Sequence, residues 1–229
     1  MKVTWLTHSG LLFDNGTVKI MVDPYLSDTV GKEDPAKHRL IPVREELLDV
    51  KPDVILITHC HADHLDPETL ERLLSDTSRS VLVMAPEAAY SRLVQYKNGH
   101  NYVRLAPHTV WSFGGVTFYS VKAEHSDPTA AGFILDDGIK TYYVSGDTLY
   151  NYDVIDDVLD LVDSGVDYAF VPINGTENNM NAKDAADFAY EIGAKCAVPV
   201  HYGLFDSIDP RDFDFDDALV LEPYVETEL

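Results

Sequence analysis

Basic residues are scarce in this chain. Seventeen lysines and arginines stand against 39 aspartates and glutamates, which gives a formal net charge of −22 at pH 7. A nucleic-acid-binding surface needs clustered lysine and arginine, because these side chains replace the counterions of the phosphate backbone. The shortage therefore argues against a general nucleic-acid-binding protein. It does not exclude a small anionic substrate, since a bound dication dominates the field around it.

Cysteines and long apolar runs are also scarce. Cys60 and Cys196 are the only cysteines and form no disulfide framework, so a reducing cytoplasm is the expected compartment. No apolar run is long enough to span a membrane, and the N-terminus enters a strand pattern without the features of a signal peptide. We therefore expect a cytoplasmic protein without membrane association. Its 229 residues, 45% of them hydrophobic, suffice for one sizeable core, and the composition leaves the oligomeric state open.

One stretch, in contrast, is rich in metal-binding side chains. Residues 58–66 read Thr-His-Cys-His-Ala-Asp-His-Leu-Asp and follow the apolar run 54–57. Asp66 and Pro67 form a helix-start pattern, which places the stretch on a loop between a buried strand and a helix. Imidazole and carboxylate suit zinc, iron or manganese, and crowding them together without an ion would cost stability. A metal site is therefore favoured over a packing role.

The stretch resembles the His-x-His-x-Asp-His signature of the metallo-β-lactamase superfamily. Other parts of the chain are similar to the same family: an opening hairpin with strands at 5–13 and 18–22 that ends in Asp23-Pro24, then His125, Ser145-Gly146-Asp147 and Pro199-Val200-His201. The resemblance implies an α/β fold, a four-layer αβ/βα sandwich with a dinuclear metal cleft at one edge. We expect a single domain, 1–229, built from two similar halves at about 1–113 and 114–229.

The resemblance also implies how two divalent ions are held. The predicted ligands are His59, His61 and His125 for the first ion, Asp63, His64 and His201 for the second, and Asp147 as the bridge. Zn²⁺ is the expected metal, with Mn²⁺ or Fe as alternatives. A hydroxide shared by the two ions would be the nucleophile, since such ions lower the pKa of bound water towards ~7. Asp63 and Asp147 are the predicted catalytic residues.

Further residues are predicted to support the ions or to contact a substrate. Asp23 is either a turn residue or a support for the metal loop, as in the superfamily. Asp184 either caps a helix that begins after Asn181 or accepts a hydrogen bond from a ligand histidine. The predicted substrate contacts are His8, Lys37, Arg39, Arg44, Asn174, Glu177 and Tyr202. The cations of residues 27–49 form either a solvated loop or a lid that holds an anionic group such as phosphate. His100 is expected at the surface.

Within the superfamily, the chain is most similar to the L-ascorbate-6-phosphate lactonase-like branch, through residues 145–152, 174–184 and 193–201. The leading hypothesis is a hydrolase that acts on a small lactone or carboxylic ester, with or without a phosphate group. A phosphodiesterase acting on nucleotides or phospholipid head groups is the alternative. A metal-bound regulatory protein without turnover is the third hypothesis.

Overall fold

The structure is a computed structural model that describes residues 1–96, 99–162 and 165–229. The chain divides into two compact units. Unit 1 contains residues 1–105, 203–207 and 221–229, and unit 2 contains 106–202 and 208–220. The main segment of unit 1 ends at residue 105, whereas the boundary expected at about residue 113 lies inside the hairpin in which Val110–Phe113 pairs with Val116–Lys122. The two C-terminal segments of unit 1 were not predicted.

Unit 1 is built on a seven-stranded mixed sheet. Its strands are β1 (Lys2–Trp5), β2 (Leu11–Asp14), β3 (Lys19–Val22), β4 (Val54–Leu56), β5 (Leu82–Pro86), β6 (Asn101–Leu105) and β13 (Glu226–Glu228). They lie in the order β13-β1-β2-β3-β4-β5-β6, antiparallel from β13 to β3 and parallel from β3 to β6. Parallel strands end at the same edge, so Asp23 after β3 and the 58–66 loop after β4 lie side by side.

Three helices belong to unit 1: α1 (Thr29–Glu33), α2 (Pro67–Leu73) and α3 (Glu87–Leu93). α2 begins as the sequence predicts, with Pro67 in its first turn and the Asp66 carboxylate accepting from the Glu68 N–H at 3.2 Å. Leu70 of α2 packs in one apolar cluster with Ile55 of β4 and Val83 of β5. Both ends of the metal loop are therefore fixed to the core.

The first predicted strand, 5–13, is broken in the structure. A tight turn at 6–10 separates β1 from β2, and it is closed by a 2.7 Å hydrogen bond from Leu6 N–H to Gly10 C=O. Thr7 and His8 have φ of 74° and 52°, in the left-handed region that non-glycine residues rarely adopt. A Cβ at Gly10 would lie 3.0 Å from the Leu6 Cβ, so glycine fits this close approach. The alternating pattern of the sequence does not reveal this turn.

Unit 2 is built on a six-stranded sheet and two helices. The strands are β7 (Val110–Phe113), β8 (Val116–Lys122), β9 (Ala131–Asp136), β10 (Thr141–Val144), β11 (Tyr168–Pro172) and β12 (Cys196–Val200), and the helices are α4 (Tyr152–Leu161) and α5 (Ala182–Glu191). The strand order is β12-β11-β10-β9-β8-β7, and β10, β11 and β12 run parallel. Their shared edge carries Asp147, the 173–181 loop and His201. No helix in the described part of the chain is long and apolar enough to cross a membrane.

Candidate metal centre

The 58–66 loop of unit 1 gathers its histidines around one point. His59 Nε2 lies 3.0 Å from His61 Nδ1, and the His59 and His64 ring centroids are 4.0 Å apart. The Leu65 and His64 N–H groups both donate to the His61 carbonyl, which curls the loop back on itself. A buried strand followed at once by a capped helix leaves only this short turn. The ligand side chains consequently converge.

Asp23 determines how two of these histidines present their nitrogens. Its fully buried carboxylate accepts from Thr58 N–H at 2.8 Å, Thr58 Oγ1 at 2.6 Å and His64 Nδ1 at 2.8 Å. Because the Thr58 hydroxyl donates to Asp23, it accepts from His59 Nδ1 at 3.0 Å. Both rings thus carry their proton on Nδ1 and present the Nε2 lone pair, the form that a metal ion binds. These contacts match the support role considered for Asp23.

Asp63 contacts His8, which the sequence analysis predicts to contact a substrate. His8 Nε2 lies 2.9 Å from Asp63 Oδ2, and His64 Nε2 lies 3.9 Å from the same oxygen. His8 is buried beside the Tyr25 and Phe205 rings. The ring therefore holds Asp63 in place. Substrate contact by His8 stays a prediction. The partner was missed because 55 residues separate the pair and no local pattern connects them.

In unit 2, one carboxylate lies between two imidazoles. Asp147 Oδ1 is 3.3 Å from His201 Nε2, and Asp147 Oδ2 is 3.9 Å from His125 Nε2, with all three side chains buried. Gly146, with φ of 61°, turns the chain just before Asp147. The structure thus brings together the three ligands predicted from this half of the sequence.

The donor set of both units fits a divalent ion. His8, Asp63 and His64 offer ligand atoms within 4.8 Å of one another, and such clusters among the described residues contain no residue types other than histidine and aspartate. Neutral imidazole nitrogen and ionised carboxylate oxygen are the forms that zinc, iron and manganese bind. Cys60, which lies between two of the predicted ligands, forms no disulfide.

Arg39 has no N–H group left to bind an anionic substrate group, because all five of its N–H groups donate to atoms of unit 1. Its five donors reach Ile41 O (3.2 Å), Tyr25 O (2.8 Å), Ser27 O (3.1 Å), Thr7 Oγ1 (2.9 Å) and the Tyr224 hydroxyl (3.0 Å). A guanidinium has five N–H groups, so none remains for a phosphate. The Arg39 prediction is therefore wrong. Arg44 is exposed and lies 5.4 Å from the Tyr224 ring centroid, and Lys37 ends a 3₁₀ turn. Their predicted substrate contacts stay predictions.

Asp184 follows the capping alternative. Its N–H donates to Asn181 Oδ1 at 3.0 Å, and its carboxylate accepts from Asn181 Nδ2 at 2.9 Å. No hydrogen bond joins it to a histidine in the described ranges of the chain. Tyr202 is buried, and desolvation raises its pKa to about 12. The substrate contacts predicted for Tyr202, Asn174 and Glu177 stay predictions.

A cavity beside the metal loop was not anticipated from the sequence. It has a volume of about 540 Å³ and is lined by Ala62 and Leu65 of the loop, and by Arg92, Gln95 and Tyr96 at the end of α3, among others. Arg92 donates to the Cys60 carbonyl at 2.7 Å, which ties α3 to the loop. The residues are far apart in sequence, so only the fold reveals this cavity.

Comparison with known proteins places the chain in a family. Residues 19–202 match the model described as beta-lactamase superfamily domain. A UPF0173 protein of Pyrococcus furiosus is 29% identical over 217 residues, which cover 93% of this chain and 89% of the relative. A UPF0173 metal-dependent hydrolase of Pyrobaculum islandicum is 28% identical over 223 residues, covering 93% and 90% of the two chains.

Solved structures confirm the predicted metallo-β-lactamase fold. Igni18, described as a novel metallo hydrolase from Ignicoccus hospitalis, superposes with a TM-score of 0.77 at 19% identity and covers 99% of this chain and 97% of its own. The metallo-β-lactamase fold protein YhfI of Bacillus subtilis gives 0.73 at 21% identity, with 99% and 98% coverage. At such identities the likeness shows the fold alone. The lactonase-like branch stays a prediction.

Proposed function

Because the chain belongs to the beta-lactamase superfamily, we propose that it is a metal-dependent hydrolase that opens a small lactone or carboxylic ester. The observation that carries this proposal is the pair of histidine–aspartate clusters, one around Asp63 and one around Asp147. Relatives such as the Pyrobaculum protein are named metal-dependent hydrolases, which agrees with it. The similarity of residues 145–152 and 174–184 to the lactonase-like branch is the reason for choosing a lactone.

We propose that two divalent ions bind, Zn²⁺ in the first place and Mn²⁺ or Fe as alternatives. The proposed ligands are His59, His61 and His125 for one ion, Asp63, His64 and His201 for the other, and Asp147 for both. When bound, such ions lower the pKa of a coordinated water and polarise the carbonyl oxygen of the substrate. The ligand set comes from the superfamily signature, and the contacts within each unit are compatible with it.

The chain's own residues orient these groups. Asp23 fixes the tautomers of His59 and His64 through Thr58, so that both Nε2 atoms remain available as ligands. His8 holds one oxygen of Asp63 and thereby directs the other. A carboxylate positioned in this way can orient an attacking water and accept its proton. Asp63 is accordingly proposed as a catalytic residue as well as a ligand.

The cavity beside the metal loop has room for a small substrate. Its wall combines the apolar side chains of Ala62, Leu65 and Pro67 with one cation, Arg92, and one carboxylate, Glu33. Pockets of this size and mixed lining are typical of small-molecule sites. The phosphodiesterase alternative is weakened because Arg39, one of the cations predicted to hold an anionic group, has all five N–H groups bonded to carbonyl and hydroxyl groups of unit 1.

Initial rates on two substrate panels test the proposal. The protein is reconstituted with Zn²⁺ and, separately, with Mn²⁺, and is offered simple lactones and phosphodiesters, with Asp147→Ala as the blank. We expect lactone turnover that the substitution lowers at least ~100-fold, because the one side chain proposed as a ligand of both ions is lost. Turnover of phosphodiesters alone would refute the lactone assignment. Turnover of neither, with metal bound, would contradict the proposed function.

A further inference from the structure

Strand β7 (Val110–Phe113) forms one edge of the six-stranded sheet of unit 2. It pairs with β8 on one side, and no strand of the described chain lies on its other side. Every residue of the strand is exposed, and its large apolar side chains, Val110, Trp111 and Phe113, are 53%, 41% and 42% exposed. Natural edge strands are protected from pairing with other chains by charge or proline. β7 contains neither, so its outer edge is open to a further strand.

The distribution of charge along the chain sets this edge apart. Residues 88–123 contain none of the 39 aspartates and glutamates, although the formal net charge of the chain is −22. Both β7 and β8 lie wholly within this run. Two copies of so acidic a chain repel each other over most of their surface. A surface without carboxylates is where a second copy can approach without like-charge repulsion, and it offers a basic partner nothing to pair with.

Two carboxylates come from α4 and β9, which pack beside this hairpin. Asp157 of α4 accepts from the Lys122 N–H at 2.7 Å and pairs with His108. Asp136 of β9 accepts from the Gly138 N–H at 2.8 Å. In the described ranges of the chain, neither carboxylate is bonded to β7. The open edge therefore carries no negative charge of its own, and the carboxylates behind it are engaged.

The hairpin determines which backbone groups of β7 point outward. Phe113 and Val116 flank the turn 114–115, whose two glycines have φ of 60° and 81°, as in a two-residue type I′ turn. The residues that flank such a turn exchange both hydrogen bonds, and hydrogen-bonded pairs then alternate along an antiparallel ladder. Val110 and Ser112 belong to the non-hydrogen-bonded pairs between them. Their N–H and C=O groups consequently point away from β8, towards the open edge.

The opposite end of β7 agrees with this alternation and limits the edge. Ser120 of β8 accepts from the His108 N–H at 2.8 Å and donates its own N–H to the Thr109 carbonyl at 3.0 Å. Two residues thus oppose one, which is the pattern of a β-bulge. A bulge bends the strand and ends regular pairing, so the edge that another strand can use is confined to the four residues of β7.

A second β7 strand can satisfy the outward groups of this edge. When two β7 strands run antiparallel with Trp111 opposite Trp111 of the second copy, Val110 of each strand lies opposite Ser112 of the other. Each of these two pairs exchanges both hydrogen bonds. The two Trp111 side chains then form a non-hydrogen-bonded pair, in which cross-strand side chains approach most closely and aromatic rings stabilise the sheet.

We infer that the protein forms a dimer by antiparallel pairing of β7 with β7 of a second copy, which joins two six-stranded sheets into one. A second copy is the occupant because its own β7 offers outward groups at the same two positions and brings no carboxylate to the edge. The pairing has two-fold symmetry and uses the same edge of both chains, so it closes at two chains. The inference does not depend on the proposed function.

Sedimentation equilibrium of the full chain is the first test. We expect wild type to have twice the mass of one chain. Trp111→Lys should raise the dimer Kd at least about tenfold, because it removes an aromatic anchor and places like charges opposite each other. The matched control is Ile139→Lys, the same change of charge at an 86% exposed residue between β9 and β10, which should leave the Kd unchanged. A monomeric wild type, or Trp111→Lys with the wild-type Kd, would overturn the inference.

A second variant covers the case in which Trp111→Lys fails to fold, as judged by circular dichroism. Ser112→Pro removes an N–H that points outward, so the pairing with β8 persists while the pairing with a second copy loses a donor. We expect Ser112→Pro to be monomeric, and a dimer with the wild-type Kd would overturn the inference. Added NaCl should lower the wild-type Kd, since it screens the repulsion between the two acidic chains. A Kd that rises with NaCl would show an interface held by ion pairs and would contradict the pairing.

Oxidative cross-linking tests the register. Trp111→Cys places two thiols across the non-hydrogen-bonded pair on the symmetry axis, so we expect a covalent dimer on gels run without reductant. Val110→Cys is the matched control, because its counterpart in the second copy is displaced by two residues, about 7–8 Å away. Wild type, with Cys60 and Cys196, gives the background. Equal cross-linking of the two variants, or cross-linking of neither above this background, would overturn the inference.

Discussion

Replacing Asp23 by asparagine should weaken metal binding about 10- to 100-fold without unfolding the protein. The variant keeps the shape of the side chain, and its oxygen can still accept from Thr58 N–H. Its amide nitrogen, however, then faces His64 Nδ1, which at present donates to the carboxylate at 2.8 Å. The ring must move its proton to Nε2 to accept that hydrogen bond, and the ligand lone pair is lost.

Asp23→Ala, in contrast to Asp23→Asn, should lower the stability of the folded protein itself. It leaves three buried donors unpaired, Thr58 N–H, Thr58 Oγ1 and His64 Nδ1. At about 1–3 kcal/mol for each unsatisfied buried group, the loss is comparable with the whole stability of an ordinary domain. We therefore expect Asp23→Ala to express poorly, whereas Asp23→Asn folds and has an altered metal affinity.

The assay is competition for Zn²⁺ against a chromophoric chelator, with far-ultraviolet circular dichroism of the metal-free protein as the folding check. Asp160→Asn is the control, because it removes the same charge from the exposed face of α4. If folded Asp23→Asn binds zinc with the same Kd as wild type, Asp23 does not control metal binding through the tautomer of His64.

Three further predictions follow from single residues. Arg39→Ala should lower the free energy of unfolding, measured in urea, by about 2–4 kcal/mol, since several carbonyl partners lose their donor. Its effects on kcat and KM should be equal for phosphorylated and unphosphorylated esters. A rise in KM for the phosphorylated esters alone would show that Arg39 binds phosphate. His100→Phe should lower the free energy of unfolding in the same assay by about 1–3 kcal/mol, because His100 accepts from Val81 N–H at 3.1 Å and donates to the Leu74 carbonyl at 2.9 Å. An unchanged free energy of unfolding would contradict the role of these two hydrogen bonds. Tyr202, with its pKa raised to about 12 by burial, should stay protonated below its folded pKa, so Tyr202→Phe should leave an ultraviolet titration between pH 9 and 11 unchanged.

Features that depend on neighbours in sequence were predictable. The 58–66 loop is preceded by a buried apolar strand and followed by an Asp-Pro helix start, and all of these cues lie within a few residues. The cap at Asn181 follows the same logic. Sequence patterns of strand, cap and ligand spacing thus located the metal loop, and the resemblance to the superfamily supplied the fold class.

Features that depend on distant contacts were not predictable. The turn at 6–10 interrupts a pattern that reads as one strand, and it brings His8 to Asp63. Arg39 reads as a loop cation until the carbonyls around it are known. His100, expected at the surface, is buried between two backbone groups. In each case the deciding partner lies far away in the sequence.

The most direct test of the account is the metal content of the purified protein, measured by inductively coupled plasma mass spectrometry beside lactone turnover. We expect two divalent ions for each wild-type chain, fewer in Asp147→Ala, and a loss of turnover that follows the loss of metal. Wild-type protein that opens lactones after complete removal of metal would contradict it, as would an Asp147→Ala variant with unchanged metal content.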